Sequence, residues 1–244
     1  MTDNAREIID QTRHLDAQGL LEFVLGRFGD RVALASSLGA EDQVITDMLA
    51  KASPRPRIFT LDTGRLAQET YDTLDATRRK YGLPIEVLFP DRQDVETMVT
   101  AEGVNLFYRG IEQRKRCCHV RKVVPLQRKL ASLDAWITGL RREQAATRGE
   151  LETVQWDQGN GLVKINPLAE WTTEQVWEYI RRHDVPFNPL HDRGYPSIGC
   201  QPCTRAVEPG QDIRAGRWWW EQPEQKECGL HLVDGKLVRK GVEH

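Results

Sequence analysis

Apolar positions along the chain alternate between two rhythms. RVALASS at 31–37, RIFTL at 57–61, IEVLF at 85–89 and DAWITGL at 134–140 are short apolar runs bounded by polar residues, as buried strands are. LVKINPL at 162–168 adds a fifth. Between them the spacing becomes that of helix faces. In LGAEDQVITDMLAK, residues 38–51, Val44, Ile45, Met48 and Leu49 fall on one side. LAQETYDTLDATRRKYG, 66–82, closes on Gly82 with Pro84 beyond it, and DRQDVETMVTAEG, 91–103, gives the next helix. DNAREIIDQ and AQGLLEFVLGRFG predict two amphipathic helices before the first strand. HVRKVVPLQRKL, 119–130, reads as helical, with Pro125 bending it or limiting its start. TTEQVWEYIRRHD, 172–184, opens with Thr172 and Gln175 at capping-box spacing and sets Val176, Trp177 and Ile180 on one face. The remainder is rich in Pro, Gly and charge and reads as an irregular tail. Strands alternating with helices predict an α/β fold, a parallel sheet with helices on both faces. The division expected is 1–190 for the α/β domain and 191–244 for the C-terminal segment.

Bulk properties narrow the field. The chain has 244 residues, 39% apolar and 29% charged, with a net charge of −2. That balance gives no global basic field for nucleic acid, so any basic patch is local. No apolar run reaches the roughly 18 residues of a membrane span. The first twenty residues are polar and acidic with no apolar signal core, so the cytoplasm is expected, with thiols reduced.

Ligands of such sheets sit at the carboxyl ends of the strands, so residues there come first. SSLGAED follows the first strand, and Ser36, Ser37 and Gly39 allow close approach of a phosphate or sulfate to a helix start. It is neither a Walker A loop nor GxGxxG. LDTGR follows the second strand. Asp62 can accept from hydroxyls, Gly64 permits a tight turn and Arg65 can hold an anion. GLRREQAATR follows the fourth and carries Arg141, Arg142 and Arg148, whose forks match phosphate or sulfate oxygens. Each turn alone also suits a capped helix or a solvated loop; three on one sheet edge point to an anion.

Five cysteines complete the chemistry. Cys117 and Cys118 are adjacent inside RKRCCHVRK, Cys200 and Cys203 form CxxC, and Cys228 stands alone. In a reducing compartment a pair plus CxxC reads as metal ligation before disulfides. Adjacent cysteines weigh against a single zinc ion, which takes CxxC-type spacing.

Together, SSLGAED, LDTGR, CC with CxxC, WITGLRREQAATR and KECGLH resemble the thioredoxin-dependent adenylylsulfate reductases, from about residue 30 to 231. The resemblance implies an adenine-nucleotide α-hydrolase-like, Rossmann-like fold. It implies reduction of adenosine 5′-phosphosulfate (APS) to sulfite and AMP, with thioredoxin or a similar dithiol protein as reductant. It implies one [4Fe–4S] cluster per chain on Cys117, Cys118, Cys200 and Cys203, with structural and electrostatic duty. Cys228 becomes the nucleophile, and Lys226 and His231 can favour its thiolate. Lys122 lies between cluster and substrate, and Thr63, Arg214, Arg217 and His231 join the substrate contacts. Ser37 and Glu41-Asp42 replace motif residues of the pyrophosphatase relatives, which fits a substrate with no pyrophosphate to release. Trp218, Trp219 and Trp220 read as packing anchors. Rival readings are a reductase of the 3′-phosphorylated substrate (PAPS) or of both, a nucleotide-binding redox sensor and a subunit resembling ATP sulfurylase. The oligomeric state stays open, a homo-oligomer included.

Overall fold

The computed structural model describes residues 3–144 and 151–222. Two helices, α1 (Asp3–Thr12) and α2 (Ala17–Phe28), lead into the sheet; the Asp16 carboxylate caps α2 by accepting from Gly19 N at 2.8 Å. Then β1 (Val32–Ser36), α3 (Ala40–Ala52), β2 (Ile58–Leu61), α4 (Gln68–Tyr81), β3 (Ile85–Leu88) and α5 (Arg92–Glu102) alternate. Next come α6 (Ile111–Cys118), a π-helical turn (His119–Val123) and α7 (Val124–Leu130). β4 (Ala135–Ile137), β5 (Val154–Asp157), β6 (Leu162–Ile165) and α8 (Thr173–Arg182) complete the regular elements. No helix among the described residues is long and apolar enough to cross a membrane.

The sheet order is β3-β2-β1-β4-β6-β5. Every neighbouring pair is parallel except β5 with β6, which is antiparallel. The edge strand β5 and the helix α6 are elements the sequence reading lacks. β5 is a four-residue strand hairpinned to β6 by a turn in which Gly161 takes φ +71° and donates to Asp157 O at 2.7 Å. Central strands feed two cores by alternation: Val32 and Leu34, Ile58, Ala135 and Ile137 face one side with α2, α3 and α8. Ala33, Phe59 and Trp136 face the other, against Leu126 and Leu130 of α7. The near-continuous apolar reading of these strands follows from burial on both faces.

The chain steps from β1 outward to β2 and β3, then crosses to β4 and β6 on the other side. Order therefore reverses between β1 and β4, and their carboxyl ends open a crevice.

The helix predicted over 119–130 differs in detail. The cysteine pair ends α6 instead of preceding a helix, and the next five residues form the π turn before Pro125 enters at the start of α7. A π turn widens the backbone spiral and re-aims the side chains on either side of it.

Candidate active site

A cavity of about 710 Å³ fills the crevice. Its floor is the loop after β1. There Ser36 Oγ accepts from Leu38 N at 3.1 Å, and Leu38 sits at φ +61°. The carboxylate of Asp42, buried in the first turn of α3, accepts from Ser37 N at 2.6 Å and Ser37 Oγ at 2.7 Å. It also accepts from the backbone N–H of Gly139, beyond β4, so one side chain ties both lips of the crevice together. Burial pushes the Asp42 carboxyl up to about 6, against the Ser37 hydrogen bonds that hold it down. A β-carbon at Gly139 would stand 2.3 Å from Asp42 Oδ1, so only glycine fits.

The LDTGR turn joins this cavity to a second, small pocket lined by Cys117, Cys118, Cys200 and Cys203. Gly64, at φ +71°, donates to Asp62 Oδ1 at 2.7 Å, and Tyr71 donates to the same oxygen at 3.0 Å. Thr63 lines the large cavity, and its Oγ1 is 3.2 Å from Cys200 Sγ. Arg121 donates to Thr63 O at 2.7 Å, and Gln201 N donates to Arg65 O at 2.8 Å. Strand end, cysteine helix and CxxC segment are thus one hydrogen-bonded unit.

All four described cysteines are free thiols. Burial raises the Cys117 thiol, with Arg121 opposing. Burial pushes Cys203 up to about 12, Cys200 adds to this, and Lys122 and Arg217 oppose it. Lys122 lines both the cavity and the cysteine pocket. Among the described residues no three His, Cys, Asp or Glu side chains are gathered as a site for a single ion.

The other sequence-predicted residues divide. Ser36, Ser37, Gly39, Arg141, Arg214 and Arg217 line the cavity. Arg141 is buried and already paired, with Glu41 at 2.9 Å and Glu143 at 2.7 Å. Arg217 donates to Ile198 O at 3.2 Å, and Gly199 leaves room for its guanidinium, since a β-carbon there would lie 2.3 Å from Nη2. Three expected substrate contacts, two arginines for an anion and Asp62 for a hydroxyl, sit outside the cavity lining. Arg65 faces the cysteine pocket, donates to Val104 O and Asn105 Oδ1 and stacks over Phe107. Arg142 donates to Leu151 O at 2.6 Å and pairs with Glu170 at 3.0 Å, outside the cavity lining. Asp62 accepts at Oδ1 from its own turn and from Tyr71. Arg148, Cys228 and His231 lie outside the described residues.

The sequence reading missed Asp42 and Gly139 as a bridge, and Arg181 of α8 and His191 on the cavity wall. An acid in the first turn after a small-residue loop was a signal for Asp42. Arg181 and His191 carried none, because chain folding alone brings them to the crevice.

Residues 31–206 match the family described as phosphoadenosine phosphosulfate reductase domain. The chain belongs to this family. An adenosine 5′-phosphosulfate reductase of Burkholderia cepacia is 50% identical over 227 residues, 93% of this chain and 90% of the relative. One of Allochromatium vinosum is 54% identical over 202 residues, 83% and 79% of the two chains. Among solved structures, a phosphoadenylyl-sulfate (PAPS) reductase from Candida auris in a phosphate complex superposes with TM-score 0.71 at 26% identity, covering 85% of this chain and 98% of the other. An FMN adenylyltransferase of Candida glabrata shares the fold alone, at TM-score 0.54 and 15% identity, covering 95% and 78%. In this chain the crevice at β1 and β4 and the cysteine pocket share Lys122 in their linings.

Proposed function

We propose that the chain reduces adenosine 5′-phosphosulfate to sulfite and AMP. The observation that carries this reading is the contact between the two pockets: a nucleotide-sized cavity at the sheet's switch point shares Lys122 with a pocket of four free cysteines, and Arg217 stands beside both. A nucleotide lying in the crevice would place its nucleoside near the Ser36–Gly39 loop and Gly139, and its anionic end toward Lys122, Arg214 and Arg217.

The cysteine pocket suits a [4Fe–4S] cluster in its donor set: four thiols, usual for that group, ringed by Arg65, Arg114, Arg121 and Lys122. Bound there, the cluster supplies a fixed local charge and holds the two cysteine segments together. The surrounding cations offset its thiolates and draw in sulfate and phosphate.

The chemistry follows from the fifth thiol. The Cys228 thiolate attacks the sulfur of the substrate, and the sulfur–oxygen bond to phosphate breaks with its electron pair leaving on AMP. Cys228 then carries a thiosulfonate. A dithiol protein of the thioredoxin type attacks the Cys228 sulfur; sulfite leaves, and the second thiol of the donor resolves the mixed disulfide. Two electrons from the dithiol thus take sulfur from the sulfate to the sulfite oxidation level. Residues 191–244 act in this scheme as one segment bearing CxxC and the nucleophile, and the protein works in the cytoplasm.

The deciding experiment gives purified protein APS or PAPS with reduced thioredoxin and assays sulfite. Sulfite from APS at the higher kcat/KM supports the proposal. Turnover of PAPS alone overturns the substrate assignment, and no sulfite from either overturns the activity.

A further inference from the structure

One wall of the large cavity is a loop that leaves the CxxC segment and returns to it. Thr204 and Arg217 pair as an isolated antiparallel bridge, Arg205 N donates to Gly216 O at 3.1 Å, and the backbone N of Trp218 donates to Cys203 O at 3.1 Å. This neck is tight: a β-carbon on Gly216 would stand 2.2 Å from Arg205 O. Irregular chain closed by so narrow a neck is a loop of the Ω type.

Beyond the neck the loop holds itself. Its first turn is closed by Gln211 N donating to Glu208 O at 3.2 Å and by Glu208 N donating to Gln211 Oε1 at 3.1 Å. Its second turn is closed by Asp212, whose Oδ1 accepts from Arg214 N at 2.7 Å and whose O accepts from Ala215 N at 2.9 Å. The near leg is moored to the body of the protein by Val207 N, which donates to Gly194 O at 2.8 Å. Among the described residues, every hydrogen bond of residues 208–213 stays within the loop. Residues 208–212 are exposed, and Gly210 takes φ +86°. Yet Glu208, Pro209, Gly210, Gln211, Ile213 and Arg214 all line the cavity. A segment with exposed backbone and few bonds to the body opens at low free energy, and active-site lids are drawn from such segments.

We infer that residues 208–215 are a lid that closes on a bound nucleotide, drawn shut by the nucleotide's anionic end through Arg214. The lid rests on the reading of the crevice as a nucleotide site. A ligand shifts a conformational equilibrium only by binding one state better than the other. Arg214 supplies that difference because it sits in the second turn, so its contact with phosphate or sulfate carries the turn along. Pro209 and Ile213 then bring apolar surface onto the nucleotide, and the reacting sulfur is shielded from water.

The test uses the full-length, iron-loaded protein and hydrogen exchange read by mass spectrometry. Without ligand, residues 208–213 should exchange within about tenfold of the free-chain rate, while 203–205 and 216–218 stay protected. Saturating AMP should slow exchange at 208–213 by at least about tenfold with iron per chain unchanged. In Arg214→Gln saturated with AMP that slowing should be lost, although the loop after β1 and the stretch around Gly139 remain protected. Ile213→Ser should release AMP about tenfold faster in stopped flow, with association within about threefold of the parent, because a lid that closes after binding acts on dissociation. Strong protection of 208–213 without ligand would make the loop a fixed wall and overturns the inference. So does exchange that AMP leaves unchanged, or slowing of equal size in Arg214→Gln. Failure of the underlying reading looks different: AMP would show no binding by calorimetry and would protect neither the loop after β1 nor the lid.

Discussion

At the scale of single residues, the crevice depends on groups that leave no room for alternatives. Gly139→Ala sets a β-carbon against Asp42 Oδ1, against Glu41 Cβ at 2.9 Å and against Asp42 N at 3.1 Å. The backbone contact cannot swing aside, so the two lips must part. Overpacking of this kind costs about 1–3 kcal/mol, and here it falls on the crevice proposed to hold the nucleotide, so AMP affinity measured by calorimetry should drop by about tenfold or more. Asp42 itself has a pH signature. Its folded carboxyl lies near 6, above the unfolded value of about 3.9, so its contribution to stability is full below about pH 4 and is lost as pH rises through 6. Asp47 has the opposite sign. Burial alone would raise it, but hydrogen bonds from Lys51, Tyr179 and Tyr81 outweigh burial and lower it, so its contribution holds above about pH 4 and is lost as pH falls. Urea midpoints from pH 3.5 to 7 should separate the two. Asp42→Asn should gain on the parent as pH rises from 4 to 6; Asp47→Asn should be weaker at neutral pH and converge on the parent in acid. An unchanged difference across that range in either variant would contradict the assignment.

At the scale of elements, legibility in the sequence followed the physics that makes each one. The central strands were readable because burial on both faces makes them continuously apolar, and most helices because each has one apolar face; α6, IEQRKRCC, is polar along most of its length and was not read. Thr172 and Gln175 announced α8, and both bonds of that capping box are present. β5 was not readable: an edge strand of four residues, VQWD, is too short for a period, and only its pairing to β6 makes it a strand. The π turn was equally silent, since nothing local in HVRKV demands one. The turn after β1 lines the crevice and the turn after β2 borders the cysteine pocket, but the partners of each arginine depend on neighbours distant in sequence, such as Val104 for Arg65 and Glu170 for Arg142. A prediction belongs to this scale. α6 and the CxxC segment meet at the cysteine pocket, with the LDTGR turn beside them. Cys117→Ser or Cys203→Ser should therefore lose iron and sulfite formation together, as read by iron analysis and the visible absorption of anaerobically purified protein. Full activity in a colourless protein holding stoichiometric zinc would remove the iron–sulfur assignment.

At the scale of the whole molecule, charge and thiol count together fix what the reaction can do. The end of the cavity near the β1 loop is lined by Glu41 and Asp42, and its buried arginine, Arg141, is already matched by Glu41 and Glu143. A 3′-phosphate there would meet carboxylates with no uncommitted partner in Arg141, so kcat/KM should favour APS over PAPS, and equal use of both would refute that. The thiols set the kinetics. Of five cysteines, four line one pocket, which leaves Cys228. With those four holding the cluster, no further cysteine of the sequence is left to release a sulfonate from Cys228. APS without reductant should therefore yield one AMP per chain in a burst, leave one sulfonate on Cys228 and stop. Reduced thioredoxin should then discharge an equal amount of sulfite, and the mixed disulfide should be trapped when the donor lacks its second thiol. Cys228→Ser should keep its iron and bind AMP, yet give neither burst nor adduct. AMP release that continues beyond one equivalent without reductant would mean that water or another group resolves the intermediate, and the external-thiol step would have to be abandoned.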